Sequence, residues 1–501
     1  MRKLTLAAML AALAAGITPA TAADLRIGLQ EDPDVLDPDQ SRTFVGRIVY
    51  AAMCDKLVDI TPGLEIIPQL AAGWNWSDDG LTLTMDLREG VTFHDGTPFN
   101  AEAVKANIVR SKTLPESRRK SELSSIETTE VAGPYQVKFT LASPDATLIA
   151  QLADRAGMML SPTAAAEKGL DLGLAPVCSG PFKFVERVQQ DRIVLEKFDG
   201  YWNKDAIHID KVTFLPIPDT TVRLANLRSG DLDMLERLAA PDAASVKSDS
   251  SLQYAEAVSL GYQGITINIG NGEQAKNPLG EDPRIRQALD LSIDREALNQ
   301  VVFEGVFKPG NQSFPTSSPW YDKSIPVPVR DVARAKALLK EAGYDRLEIE
   351  VQVPNNPVQM QVMQVVQAMA AEAGFDVKLK ATEFATLLQE QSAGNYQASQ
   401  IGWSGRVDPD GNIHQFVTCK GGINDSKYCN PEIDALLNGA RQSTDNKVRK
   451  AKYDAASKIL SRDLPIVYLY HQTWIWALSD KVEGFTAYPD GMIRLENVKL
   501  N

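Results

Sequence analysis

Histidine is scarce in this chain: His94, His208, His414 and His471 are the only four among 501 residues, and no two stand at metal-ligand spacing. No GxSxG, HExxH or GxxxxGK(S/T) run occurs, so serine-hydrolase, zinc-protease and P-loop chemistry have no anchor here. Cysteine is limited to Cys54, Cys178, Cys419 and Cys429, and without a CxxC they give no zinc signature. Positive charge is in deficit, Lys+Arg 52 against Asp+Glu 65, for a net charge of −13. That balance argues against nucleic acid or anionic lipid as the main partner. After the N-terminus no run approaches the ~18 apolar residues of a membrane span, so the mature protein is expected not to be membrane-embedded.

What is present begins with Arg2 and Lys3, then an Ala-rich apolar run from Leu4 to Ile17, then Ala20-Thr21-Ala22. Basic, apolar and small-residue zones in that order predict a signal peptide over residues 1–22 and export to a bacterial periplasm. In an oxidising compartment the four cysteines read as disulfides, with three pairings open. Cys419 and Cys429 flank the turn-rich KGGINDSKY and read as closing a local loop, whereas Cys54 and Cys178 bracket a long block.

The length allows two or three cores. DLRIGLQ (24–30) reads as a strand opening the mature chain, YQVKFTL (135–141) as another and DATLIAQLADRA (145–156) as a short helix. CSGPFKFVERVQQDRIVLEKFDGYW (178–202) reads as a loop and hairpin, and TVRLANLRSGDLDML (221–235) as a helix ending at Gly230. From about 264 the helices lengthen. DPRIRQALDLSIDREALNQVVF (282–303) carries caps at Asp282 and Asp294. DVARAKALLKEAGY (331–344) and VQMQVMQVVQAMAAEAGFDVKLK (358–380) both end in a glycine suited to a left-handed cap. The helix–Gly–strand rhythm predicts an α/β lobe, and the Met and Val stripe of 358–369 reads as core.

The most informative stretch is LTLTMDLREGVTFHDGTPFNAEAVKANIVR, residues 81–110. Leu81, Leu83, Met85 and Leu87 alternate as in a half-buried strand, Val91 and Phe93 resume the alternation after a turn, and Asn100 caps a helix. The wording closely resembles the "LREGV-FHDGTPF-A-DVK" segment of the family 5 extracytoplasmic solute-binding proteins of ABC importers, which bind peptides, glutathione or nickel. Cys178-Ser179-Gly180-Pro181 resembles that family's "GTGPY-F" hairpin, and 221–235 its "R---L-SGE-D" helix. The resemblance implies an α/β fold of the large, three-segment type: a two-lobed periplasmic-binding-protein clamp with an extra inserted domain. Lobe I is then 24–53, 179–263 and 478–501, the inserted domain 54–178 and lobe II 264–477. The ends of the insert coincide with Cys54 and Cys178, which favours their pairing. A ligand held between lobes by hinge closure, an inner-membrane ABC permease as partner, a monomer and no cofactor are further implications.

IGWSGRVDPDGN (401–412) is the segment expected to set specificity, since a strand delivers Trp403 into a loop of small and polar residues. Peptide-binding members of the family carry "W-G-D--DPD", whose Asp three residues after the Trp holds the ligand's ammonium group. Here that position is Arg406, and one residue is missing before Asp408. A guanidinium in place of a carboxylate suggests an anionic group on a small-molecule or short-peptide ligand. Pairing of Arg406 with Asp408 or Asp410 inside the loop is the alternative. Ser404 and Asp408 join the candidates, as does Arg119 in the basic run SRRKSEL (117–123). Tyr50, Ser179, Tyr262 and Gln312 fall beside loops that border the cleft in relatives. A metal-chelate or oligosaccharide carrier is the competing ligand class, and a secreted hydrolase the competing function. His94 and Asp95 in FHDG read as turn-stabilising rather than catalytic.

Overall fold

The computed structural model describes residues 23–501, so the expected signal peptide lies outside the described residues. Two large mixed sheets and one small antiparallel sheet organise the chain. The first large sheet runs 252–258, 473–479, 234–235, 24–29, 211–216, 192–197, 182–188 in spatial order. Its central strand Asp24–Leu29 pairs in parallel with Lys211–Pro216 and Met234–Leu235. The second has the order 308–309, 466–471, 262–267, 398–403, 347–354, 375–382. In it the helix Pro357–Glu372 joins the parallel strands Leu347–Pro354 and Phe375–Thr382 and buries Val362, Met363, Val366 and Ala370 in the core, as the Met and Val stripe predicts.

The caps read from sequence form. Asn100 accepts from Ala103 N at 3.0 Å, and Asp282 and Asp294 accept from Arg284 and Ala297. Gly230 takes φ +82°, a left-handed backbone that side chains resist. The small sheet, 71–76, 82–87, 136–141 and 126–133, carries the helix Ala101–Thr113 and its own core around Met85, Phe99, Val104 and Phe139. Val91 and Phe93 are buried, but the segment makes only the bridge Thr92–Pro98 instead of a strand. Helix over 145–156 is confined to Leu148–Gln151, because Asp154 turns back to accept from Arg155 N at 2.7 Å and starts a separate 3₁₀ turn.

Both disulfides, Cys54–Cys178 and Cys419–Cys429, are present. The His94 ring sits against the first of them, with Nε2 3.0 Å from Gly180 O and Nδ1 accepting from Cys178 N. The turn residues therefore brace the entry and exit of the small domain.

The chain passes between the large sheets at different residues from those expected. Boundaries at 263/264 and 477/478 cut through the strands Tyr262–Ile267 and Thr473–Ser479. The crossings are 259–261 and Gln472, joined by Ser259 N to Gln472 O at 3.1 Å. Gly261 is required there: a Cβ would stand 1.7 Å from Trp403 O. The expected insert is likewise too long at its end, since Leu160, Ala164, Leu172 and Cys178 pack into the core of the first large sheet.

Candidate functional site

A cavity of about 80 Å³ lies where the two large sheets and the small domain meet. The first sheet and its loops contribute Glu31, Arg42, Phe44 and Arg237, the small domain Arg119 and Arg155, and the second sheet Gln400, Trp403 and Ser404. Trp403 ends the strand Ala398–Trp403 and is held by its indole N–H donating to Asn412 Oδ1 at 3.0 Å. It meets Phe416 edge-on at 4.8 Å, and the Arg406 guanidinium lies 4.0 Å over its other side.

Arg406 turns away from the cavity wall. Its Nε stands 3.2 Å from Asp154 Oδ2 in the small domain, and its backbone N donates to Asn412 Oδ1 at 2.7 Å. Its counter-ion is therefore in another domain and not in its own loop, and its side chain lies outside the cavity lining. Asp408 and Asp410 are already taken, by Arg449 at 2.6 Å and Arg441 at 2.7 Å. Asp408, expected beside the ligand, thus lies outside this cavity with its carboxylate held by Arg449.

Asp154 is the hub of a buried cluster. Arg47 in the apolar helix Phe44–Met53 also pairs with it and donates to Ser404 Oγ at 2.9 Å. Arg155 donates to Ser41 O at 2.8 Å, and Arg119 pairs with Glu122 at 2.5 Å. Four guanidiniums (Arg47, Arg119, Arg155, Arg406) thus share two carboxylates, all of them buried. Burial pushes the Asp154 carboxyl up, but Arg406, Arg47 and Arg155 outweigh it and hold it far below the usual carboxylate range. The surplus of positive charge has the opposite effect on the arginines. Burial, then the neighbouring Arg119, brings Arg155 down to about 9, and burial, then Arg47, depresses Arg406 strongly. The Nε of Arg119, the Nε of Arg155 and one Nη of Arg406 are buried without a partner.

At the opposite end of the cavity Glu31 is pushed up to about 7 by burial, opposed by Arg237 and reinforced by Glu236. Ion pairs also cross the cleft directly. Arg42 beside the first sheet reaches Asp425 at 2.5 Å, in the loop closed by Cys419–Cys429, and Ser392 Oγ at 2.7 Å, in the helix Phe384–Ala393.

Of the residues expected from sequence, Trp403, Ser404 and Arg119 line the cavity. Of the three basic residues in SRRKSEL only Arg119 is buried; Arg118 is half-buried and Lys120 exposed. Tyr50, Ser179, Gln312 and Tyr262 do not line it. Tyr50 is wholly buried and donates to Val35 O; Ser179 is buried beside the disulfide; Gln312 holds its own loop through Asp322 O and Ile325 O. Tyr262 packs against Tyr468 and Phe416 behind Trp403, outside this cavity. Arg42, Arg47, Asp154, Arg155, Glu31 and Arg237 were missed. Arg47 had a signal, a lone charge inside FVGRIVYAAM, which can be buried only with a partner.

A profile of bacterial extracellular solute-binding proteins, family 5 Middle, matches residues 65–424. The chain belongs to that family. Among its relatives is the glutathione-binding protein GsiB of Pectobacterium atrosepticum, 30% identical, with 97% of this chain and 98% of that protein covered. The binding protein AgaA of A. tumefaciens R10, solved with agropinic acid, superposes with a TM-score of 0.85 at 28% identity, covering 95% of this chain and 99% of AgaA. A dipeptide-binding protein of Pseudoalteromonas sp. SM9913, solved with Met-Leu, has the same fold, with a TM-score of 0.89 at 24% identity over 95% and 100% of the two chains. The two-lobed clamp with an inserted domain is therefore the architecture of this solute-binding protein. Among the described residues no helix is long and apolar enough to cross a membrane.

Proposed function

We propose that this solute-binding protein captures an anionic, amino-acid-derived or peptide-like solute in the cavity between its lobes and delivers it to an ABC permease of the inner membrane. One observation carries the reading: four buried guanidiniums share two carboxylates, and two of them, Arg119 and Arg155, line the cavity with an unpartnered N–H each. Buried charge without a counter-ion is costly, and a guanidinium fork matches a carboxylate or phosphate. The ligand's anionic group is the missing counter-ion. Arg406 strengthens the field from behind Trp403 without touching the ligand. Hinge closure brings the three bodies together, with Arg42 bridging the lobes. The glutathione bound by the Pectobacterium relative and the agropinic acid bound by AgaA are both acids, in keeping with this reading. A neutral oligosaccharide leaves the excess positive charge uncompensated.

A thermal-shift panel on the mature protein tests it, setting γ-glutamyl compounds, acidic peptides and opine-like acids against neutral peptides and sugars. A bound ligand stabilises by RT ln(1 + [L]/Kd), about 2.7 kcal/mol at a hundredfold excess. The expected result is a shift confined to acids. Arg155→Gln weakens their binding about 10- to 100-fold, the value of a hydrogen bond to a charged group. Equal shifts from neutral peptides overturn the proposal.

A further inference from the structure

The cavity described above is too small for the ligand it is charged to hold. At roughly 10–15 Å³ per water-sized group, its volume of about 80 Å³ accommodates only about six such groups, so a dipeptide or a larger amino-acid derivative outgrows it. A second chamber of about 270 Å³ adjoins it. The two share Gln30, Arg237, Asn356, Gln359 and Gln472 as common wall.

The second chamber has a different chemistry. Phe303, Phe307 and Tyr470 form one aromatic face, with ring centroids 4.3–5.8 Å apart, and Trp474, Leu238 and Val358 close other sides. The divider between chambers is itself built. Phe44, in the wall of the first, stacks at 4.4 Å and 3° on Trp474, in the wall of the second. The Arg237 guanidinium lies over both rings, at 4.6 and 5.3 Å, and its backbone sits at φ +52°, a conformation that non-glycine residues adopt only under constraint. A ligand that leaves the first chamber in this direction passes Arg237 to meet the aromatic face of the second.

We infer that the solute is bipartite, an anionic amino-acid head at Arg119 and Arg155 joined to an extended apolar tail, aliphatic or aromatic, in the chamber beyond Arg237. The inference rests on the anionic reading of the first chamber and adds the tail as a second determinant of affinity. The buried guanidinium on the wall of chamber two, Arg223, is spent on the carbonyl oxygens of Ile217, Pro218 and Arg237, whereas burying methylenes against the aromatic face follows the ordinary apolar gain.

Calorimetric titration with N-acetylglutamate, N-hexanoylglutamate, N-benzoylglutamate and the neutral diamide of N-hexanoylglutamate separates the two claims. The expected result is affinity rising about fourfold per added methylene, the value of a buried CH2, with the diamide bound far more weakly than its parent acid. Val358→Trp fills the second chamber and brings the hexanoyl and acetyl compounds to equal affinity. Thr221→Trp, at the exposed rim, does the same where Val358→Trp does not fold. Equal affinity of the acetyl and hexanoyl acids in the wild type overturns the tail and leaves the head standing, as does a tail gain that survives both tryptophans. Equal binding of acid and diamide overturns the head. Failure of all four compounds to bind overturns both.

Discussion

Replacing Asp154 should hurt this protein far more than replacing Arg406, although the two face each other in one ion pair. In an isolated pair, loss of either partner strands the other at similar cost. Here the Asp154 carboxylate, 9% exposed, serves Arg406, Arg47 and the backbone N–H of Arg155 at once. Asp154→Asn leaves four buried guanidiniums with Glu122 alone, and breaking a buried ion pair in this way costs about 3–5 kcal/mol. Arg406→Met leaves Asp154 still bound by Arg47 and removes one of the crowded cations. What it loses is chiefly the stacking on Trp403, worth up to about 2 kcal/mol when desolvated. The unfolding entropy of a chain this long is about 1 kcal/mol/K, so Asp154→Asn should lower Tm by about 3–5 °C and Arg406→Met by less than about 2 °C. Differential scanning calorimetry on ligand-free protein reads both, and the double variant should be more stable than Asp154→Asn alone. Equal losses from the two single variants, or strict additivity in the double, would refute the reasoning that cations exceed anions in this cluster.

Glu31 supplies a pH test. Its carboxyl is raised to about 7 from an ordinary 4.5, so the native state keeps a proton that the unfolded chain releases. Stability from this group is therefore present at low pH and falls by about 2–3 kcal/mol between pH 5 and 8; Glu31→Gln should gain on the wild type at pH 8 relative to pH 5, and an equal difference at both values would contradict the assignment. The two disulfides should differ in worth because their loops do, 124 against 10 residues apart. On chain entropy, Cys54→Ser with Cys178→Ser costs about 5 kcal/mol and Cys419→Ser with Cys429→Ser about 2.7 kcal/mol, read as urea midpoints. At the chain crossing, Gly261→Ala places a methyl group against Trp403 O and should either abolish folding or shift the Trp403 fluorescence maximum, whereas an unchanged spectrum and Tm would show that the loop yields freely.

The local signals were legible because they are local. Asn100 accepting from Ala103, Gly230 at φ +82° and the core face of Pro357–Glu372 each follow from residues within a few positions of one another. Trp403 and Ser404 could be found because an aromatic side chain in a Gly- and Ser-rich loop at a strand end has few other uses. The crossing points escape the sequence because its texture shifts toward longer helices only after about 264, inside the strand Tyr262–Ile267, while the backbone changes sheets at Ser259–Gly261, where only a glycine clears Trp403. The partner of Arg406 was out of reach for a related reason. Asp408 and Asp410 stand nearest in sequence, but Arg449 and Arg441 on the following helices claim them, and the free carboxylate comes from a turn in another domain.

On the proposed reading, that distant pairing lets one arginine bear on ligand charge without touching ligand. Arg47 comes from the first lobe, Arg119 and Arg155 from the small domain and Arg406 from the second lobe, so no single body holds the excess of positive charge. Bringing the bodies together creates the excess, and like charges at these distances repel in a medium that screens them poorly. On the proposed reading the lobes close fully only when an anion arrives to share the burden with Asp154 and Glu122. Closure and selection of charge are then one event, because a neutral solute of the right shape meets the repulsion unrelieved. The aromatic chamber past Arg237 can add affinity to any such anion, but it cannot replace the head, since apolar burial does nothing for four guanidiniums crowded around two carboxylates.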